Sequence, residues 1–162
     1  CALPISQSRP WIVLRTFSKA YGLAGLRVGY GLASHPELVN LLNRVRTPFN
    51  INRSAQAAAV VALGDQQHVN DSIALVSAQR DMMSAQLTAL GFRVAPSCAN
   101  FLFFDCGQPA AELAQRLLCD GVIIKPWREK GYEHWIRVSV GNEQDNQQFI
   151  RSLKRILAED AA

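Results

Sequence analysis

The sequence predicts an α/β protein, and three observations carry that prediction. Trp11-Ile12-Val13-Leu14 is a short unbroken apolar run of the kind a buried parallel strand presents. A glycine-punctuated turn follows it, and helical patterns then fill most of residues 34–90. After Gly91 short strand-like runs alternate with amphipathic helices, as in a small sheet covered by helices. With 162 residues, 49% of them hydrophobic and 19% charged, the chain is long enough to bury a substantial core. No apolar stretch approaches the ~18 residues that a membrane span needs. The net charge of +4 is scattered rather than striped, which suits a solvated surface with anion-binding arginines better than a nucleic-acid partner.

Each element has its own signal. Residues 26–33 read as a second strand emerging from the glycine turn. Ser34 and Glu37 stand three apart as a capping box, and Leu38, Leu41, Leu42 and Val45 make the apolar stripe of the helix they would start. Thr47-Pro48-Phe49-Asn50 is a break, after which an alanine-rich helix runs over residues 53–63 with Gly64 as its stop. Val69, Ile73, Val76, Met83, Leu87 and Leu90 recur at alternating four- and three-residue steps, so one long helix packed along its own protein runs to Gly91. Residues 92–95, 101–105, 122–124 and 135–140 are strand candidates. Residues 109–119 and the closing segment, with Phe149, Ile150, Leu153, Ile156 and Leu157 on one face, are helices.

The chemistry concentrates in Thr16-Phe17-Ser18-Lys19-Ala20-Tyr21-Gly22-Leu23-Ala24-Gly25-Leu26-Arg27-Val28-Gly29. A lysine amine condenses with a carbonyl, and its pKa is readily tuned by its surroundings. Thr16 and Ser18 offer hydroxyls, Arg27 a fork for phosphate oxygens, and Gly22, Gly25 and Gly29 let backbone approach closely. An aldehyde that also carries a phosphate, pyridoxal phosphate, meets both requirements. The order is not that of a nucleotide P-loop. The four cysteines include no Cys-x-x-Cys pair and there is no histidine cluster, so no metal site is expected. They read as buried or partly buried thiols of a reducing compartment.

This run resembles the lysine signature of fold-type I pyridoxal-phosphate aminotransferases, and among them most nearly the histidinol-phosphate aminotransferases. The resemblance covers residues 11–157 and corresponds to the carboxyl-terminal half of such an enzyme. It implies residues 7–65 as a remnant of the large cofactor-binding domain and residues 66–162 as a small carboxyl-terminal α/β (α+β) domain. Cys1-Ala2-Leu3-Pro4-Ile5-Ser6 reads as a foreign scar outside the fold. By the same resemblance Lys19 attaches the cofactor and moves the catalytic proton, and Thr16, Ser18 and Arg27 bind the cofactor. Arg137, in Ile136-Arg137-Val138-Ser139-Val140-Gly141, holds the substrate α-carboxylate, with Asn100 in support. Lys125 stands where the subgroup usually carries a phosphate-binding arginine. A lysine there binds as a point charge without the fork. The implied reaction is transamination between histidinol phosphate and 2-oxoglutarate in histidine biosynthesis, in a cytoplasmic homodimer. Aromatic aminotransferases and threonine-phosphate decarboxylases share the same lysine, and a non-catalytic module holding a phosphate-bearing ligand is the reading from another class. The family's pyridine-nitrogen aspartate and ring-stacking aromatic have no counterpart among these residues, so the chain alone is expected to lack turnover.

Overall fold

A computed structural model describes residues 9–160. The run from Cys1 to Ser6 lies outside the described residues. The chain divides into two compact units, with the division inside a long helix between Ser72 and Ile73. The expected boundary lay at 65/66, at the start of that helix.

In the first unit, β1 (Ile12–Thr16) and β2 (Gly29–Ala33) form a two-stranded antiparallel ribbon, in register from Ile12↔Ala33 to Thr16↔Gly29. The apolar run thus forms a strand whose partner among the described residues is antiparallel, and Leu14 is 77% exposed rather than buried. Apolarity reports suitability for burial and says nothing of a neighbour's direction. Between the strands lies a 3₁₀ turn, Ala24–Leu26. The open end of the ribbon is closed by Ser34, whose N–H donates to the Trp11 carbonyl while its Oγ accepts from the Trp11 N–H, each at 3.0 Å. That commitment explains why the expected capping box is not made. Helix α1 (Pro36–Val45) has His35 at its N-cap without a side-chain cap bond, and Pro36, which needs no N–H partner, opens the first turn. The α1 stripe is also less covered than its pattern suggests: Leu41, Leu42 and Val45 are exposed.

Helix α2 (Arg53–Gly64) is capped by Asn52, whose Oδ1 accepts from the Ala55 N–H at 2.8 Å. Its small side chains let Ala55 and Ala59 pack directly on Phe17 and Val28. Gly64 is the last helical residue rather than a left-handed stop, and Asp65 caps its end. The Asp65 carboxylate then accepts from the His68 N–H, so one residue separates α2 from α3 (Gln66–Ala89). Of the long stripe, Val69 is buried and Ile73 exposed.

The second unit is a sheet with helices on one face. Its strands are β3 (Arg93–Val94), β4 (Phe101–Asp105), β5 (Lys125–Pro126) and β6 (Trp135–Ser139), in the order β3-β4-β6-β5 and antiparallel throughout. Alternation puts Leu102, Phe104, Ile136 and Val138 on the covered face. There they meet Met83 and Leu87 of α3, Leu113 and Leu117 of α4 (Ala110–Cys119), and Phe149, Ile150, Leu153 and Ile156 of α5 (Glu143–Asp160). Gly91, at φ +87°, turns the chain out of α3 where other residues would be strained. The strand expected at 122–124 is not formed. Val122 is buried in the core, Ile123 is 84% exposed, and ladder pairing starts only at Lys125.

Arg116 on α4 donates from Nη1 to both carboxylate oxygens of Asp160 on α5, and Arg155 of α5 from Nη2 to both of Asp120 just after α4. Cys106 is buried, its one S–H proton lies within reach of both the His134 and Gln108 carbonyls at 3.0 and 3.2 Å, and burial raises its pKa. Cys98 and Cys119 are free and exposed, which corrects the expectation for those two thiols. No helix among the described residues is long and apolar enough to cross a membrane, and they include no cluster of three metal-ligating side chains.

Candidate active site

The lysine loop of the first unit is built on Phe17. Its ring is 2% exposed, packs with Tyr21 and Tyr30, and rests on Val28 and the α2 alanines. Its backbone is tied on both sides: the N–H donates to Val28 and the carbonyl accepts from Leu23. The residues flanking this anchor therefore point outward, Thr16 and Lys19 exposed and Ser18 half-buried. Sequence reasoning passed over Phe17, although one apolar residue inside a polar turn signals an anchor.

The hydroxyls are ordered among themselves. Thr16 accepts from the Ser18 N–H at 3.0 Å and donates its own proton to Ser18 Oγ at 2.8 Å. Ser18 consequently keeps its hydroxyl proton for an external oxygen. Gly22 turns the loop at φ +70°, and a Cβ on Gly29 would stand 2.6 Å from the Arg15 carbonyl oxygen, so both glycines are structurally required. Gly25 has neither constraint. Arg27 is a non-glycine residue in the left-handed region, at φ 53°, and its Nη1 donates to the Ala24 carbonyl at 2.7 Å. One fork nitrogen thus braces the turn, and the rest of the guanidinium stays exposed. An amine, a spare hydroxyl proton and a braced guanidinium on one loop fit a ligand that is both aldehyde and phosphate ester.

The second unit contributes the other face of its sheet. The register sets Lys125 opposite Arg137, and Arg137 opposite Phe103, so the three share a row across β5, β6 and β4. The cations belong to neighbouring strands of one surface, which the primary sequence, twelve residues apart, does not reveal. Aromatic rings floor the row. The Arg137 guanidinium lies 5.3 Å from the Phe101 ring and the Lys125 ammonium 4.7 Å from that of Trp127. Phe103 stacks on Trp135 at 4.6 Å and meets Trp127 edge-on at 5.3 Å. Among the described residues neither cation forms an ion pair, whereas Arg93 in the next row is paired with Asp105 at 3.0 Å.

Asn100 stands at the head of β4. Its carbonyl accepts from the Val140 N–H at 2.9 Å, tying the start of β4 to the end of β6, and its side chain is engaged in no bond within the described residues. The preceding loop is held by Ser97, which donates to the Phe101 carbonyl, and by Arg80 of α3 against the Ala99 carbonyl at 3.4 Å. Thr16, Ser18, Lys19 and Arg27 belong to the first unit and Asn100, Lys125 and Arg137 to the second.

The first unit thus presents a lysine at the end of a strand with a braced arginine after it, and the second a sheet face that carries an arginine and a lysine. Residues 3–153 match the family "aminotransferase class I and II", and the chain belongs to that family. It is 52% identical over 151 residues to histidinol-phosphate aminotransferase 1 of Mesorhizobium japonicum, a match that covers 93% of this chain and 41% of that protein. The structure of histidinol-phosphate aminotransferase from Sinorhizobium meliloti in complex with pyridoxal-5'-phosphate superimposes with a TM-score of 0.81 at 31% identity, covering 91% of this chain and 41% of that one. L-threonine-O-3-phosphate decarboxylase from Porphyromonas gingivalis superimposes with a TM-score of 0.75 at 26% identity, covering 91% and 46%. The chain thus spans less than half the length of these proteins.

Proposed function

We propose that this chain forms part of a pyridoxal-phosphate-dependent aminotransferase acting on histidinol phosphate and 2-oxoglutarate in histidine biosynthesis. In this reading residues 7–65 belong to the cofactor domain and residues 66–162 to the small domain of a cytoplasmic homodimer. The observation that carries the substrate assignment is the Lys125–Arg137 pair on one sheet face. Histidinol phosphate bears a phosphate where an amino acid bears its α-carboxylate, so two adjacent cations suit a dianion better than one arginine alone. The kinship with histidinol-phosphate aminotransferases supports the same substrate.

Lys19 Nζ would hold the cofactor at its aldehyde carbon and, as a free amine, would serve as the base that takes the proton from substrate Cα. Ser18 Oγ and the free edge of Arg27 hold the cofactor phosphate, with Thr16 orienting Ser18. When bound, pyridoxal phosphate supplies the electron sink that makes the Cα proton removable. Arg137 takes the carboxylate of the oxo-acid partner and, with Lys125, the phosphate of histidinol phosphate. Asn100 supports the rim beside them.

The chain should be incubated with pyridoxal phosphate, reduced with borohydride and digested. The expected result is the cofactor's mass on the peptide containing Lys19 and none in Lys19→Ala. Labelling spread over Lys125, Lys130 and Lys154 instead would remove Lys19 from its role. For the substrate, Lys125→Ala should weaken histidinol phosphate far more than an unphosphorylated aromatic amino acid. Equal losses would favour the aromatic aminotransferase reading. In the intact parent protein, release of carbon dioxide from a phosphorylated amino acid would favour the decarboxylase to which the fold is also similar.

A further inference from the structure

We propose that Asn146 is a positioning residue for the anion seat, holding the exit of β6 and thereby Arg137; this rests on the reading of Arg137 given above. Asn146 lies in the first turn of α5 and is 2% exposed. Its carboxamide is fully engaged. Oδ1 accepts from the Gly141 N–H at 2.9 Å, and Nδ2 donates to the Gly141 carbonyl at 3.0 Å and to Gln79 Oε1 of α3 at 2.9 Å. One side chain thus meets both backbone groups of one residue, as a neighbouring strand would, and links that residue to a helix.

The need for such a clamp follows from the sheet. β5 reaches only as far as Arg137, so the residues of β6 beyond it have a strand on the β4 side alone. On the open side lies a cavity of about 290 Å³, lined by Val122, Ile123, Val138, Ser139 and Gly141 among others, so side-chain packing does not replace the missing strand. Val140 is held to Asn100 on the β4 side, and the next residue, Gly141, is held by Asn146. Without the clamp, fraying would start at Gly141 and run back towards Arg137, the last position paired on both edges. An arginine fork depends on placement within a few tenths of an ångström, so loosening its strand costs affinity without removing any ligand-binding group.

The test uses this chain in an Arg27→Ala background, so that inorganic phosphate as probe reports on the sheet face rather than on the lysine loop, together with amide exchange. Asn146→Ala, and Asn146→Asp in case the first variant folds poorly, should speed exchange at Gly141 and weaken phosphate binding between about 10- and 100-fold. Gln79→Ala, which leaves the two Gly141 bonds in place, should change binding by less than about threefold. A purely structural residue would lower the unfolding midpoint and leave the phosphate Kd of the folded protein unchanged. That outcome, with Gly141 exchange accelerated, would overturn the proposal. Arg137→Ala separates the two layers: if it too leaves phosphate binding unchanged, the assignment of Arg137 fails first. If Arg137→Ala abolishes binding while the Asn146 variants do not alter it, only the positioning role fails.

Discussion

The two units differ in what holds their chemistry in place. In the second, fifteen buried residues, thirteen from α3, the sheet, α4 and α5 with Cys106 and Val122 from the connections, form one core under the face that carries Arg137. In the first, four buried residues, Phe17, Val28, Ala55 and Ala59, stand under the lysine loop. Most apolar residues of β1, α1 and the outer side of α2 are exposed there, with Val45 at 78% and Val61 at 74%. The difference teaches that, among the described residues, the sheet face rests on a shared core and the lysine loop on a local anchor. Phe17, tied by two backbone bonds, fixes the backbone on which Ser18 and Lys19 stand.

The contrast breaks or sharpens most clearly in stability. Amides of β4 and β6 should exchange at least about 100-fold more slowly than those of β1 and β2, since exchange tracks the cost of opening each region. In the same spirit Leu153→Ala, which empties a fully buried site, should cost about 3 kcal/mol, whereas Leu41→Ala on exposed α1 should stay within about 0.5 kcal/mol. Denaturation followed through tryptophan fluorescence checks this, and equal protection in the two units would erase the contrast.

The next largest effect lies in the arginines. Losing a charge-assisted fork costs about 2 to 3 kcal/mol, or on the order of 30- to 150-fold in affinity. Arg27→Ala should impose that loss on pyridoxal phosphate, and Arg137→Ala on the carboxylate or phosphate of the substrate. Separate titrations of cofactor and substrate would measure it, and identical losses on both ligands would mean that the units do not divide the work.

The smallest effect is electrostatic and confined to the second unit. Hydrogen bonds from Arg155 and then Ser152 hold the Asp120 carboxyl below its ordinary value of 3.8. The folded unit therefore binds this proton less readily than the unfolded chain. The contribution is complete above the ordinary carboxylate range and is lost as pH falls through the depressed value. Asp120→Asn should lower stability slightly at neutral pH, where the contribution is complete, and leave stability well below about pH 4 nearly unchanged, so the profile falls less steeply into acid. The loss is small because the pair is partly exposed. An unchanged acid limb would assign that sensitivity to other carboxyls.

Much of the candidate site was legible because it is local. Thr16, Ser18, Lys19 and Arg27 lie within one short run, where residue type and spacing already limit the chemistry. The capping box failed for a non-local reason, since Ser34 is claimed by Trp11, twenty-three residues earlier. Asn146 was missed although it left a trace. It occupies the slot three residues before Phe149 on the apolar stripe of α5, where a polar side chain calls for a partner inside.

By itself the sequence determined the helices, the second unit's inward stripe and the lysine turn, because hydrophobic period and backbone chemistry act over a few residues. Only the tertiary structure decided that β1 and β2 pair antiparallel, that Lys125 faces Arg137, and that Asn146 closes the end of β6. Each of these is a pairing across the chain, and register and hydrogen-bond partners are set by which surfaces meet when the sheet assembles.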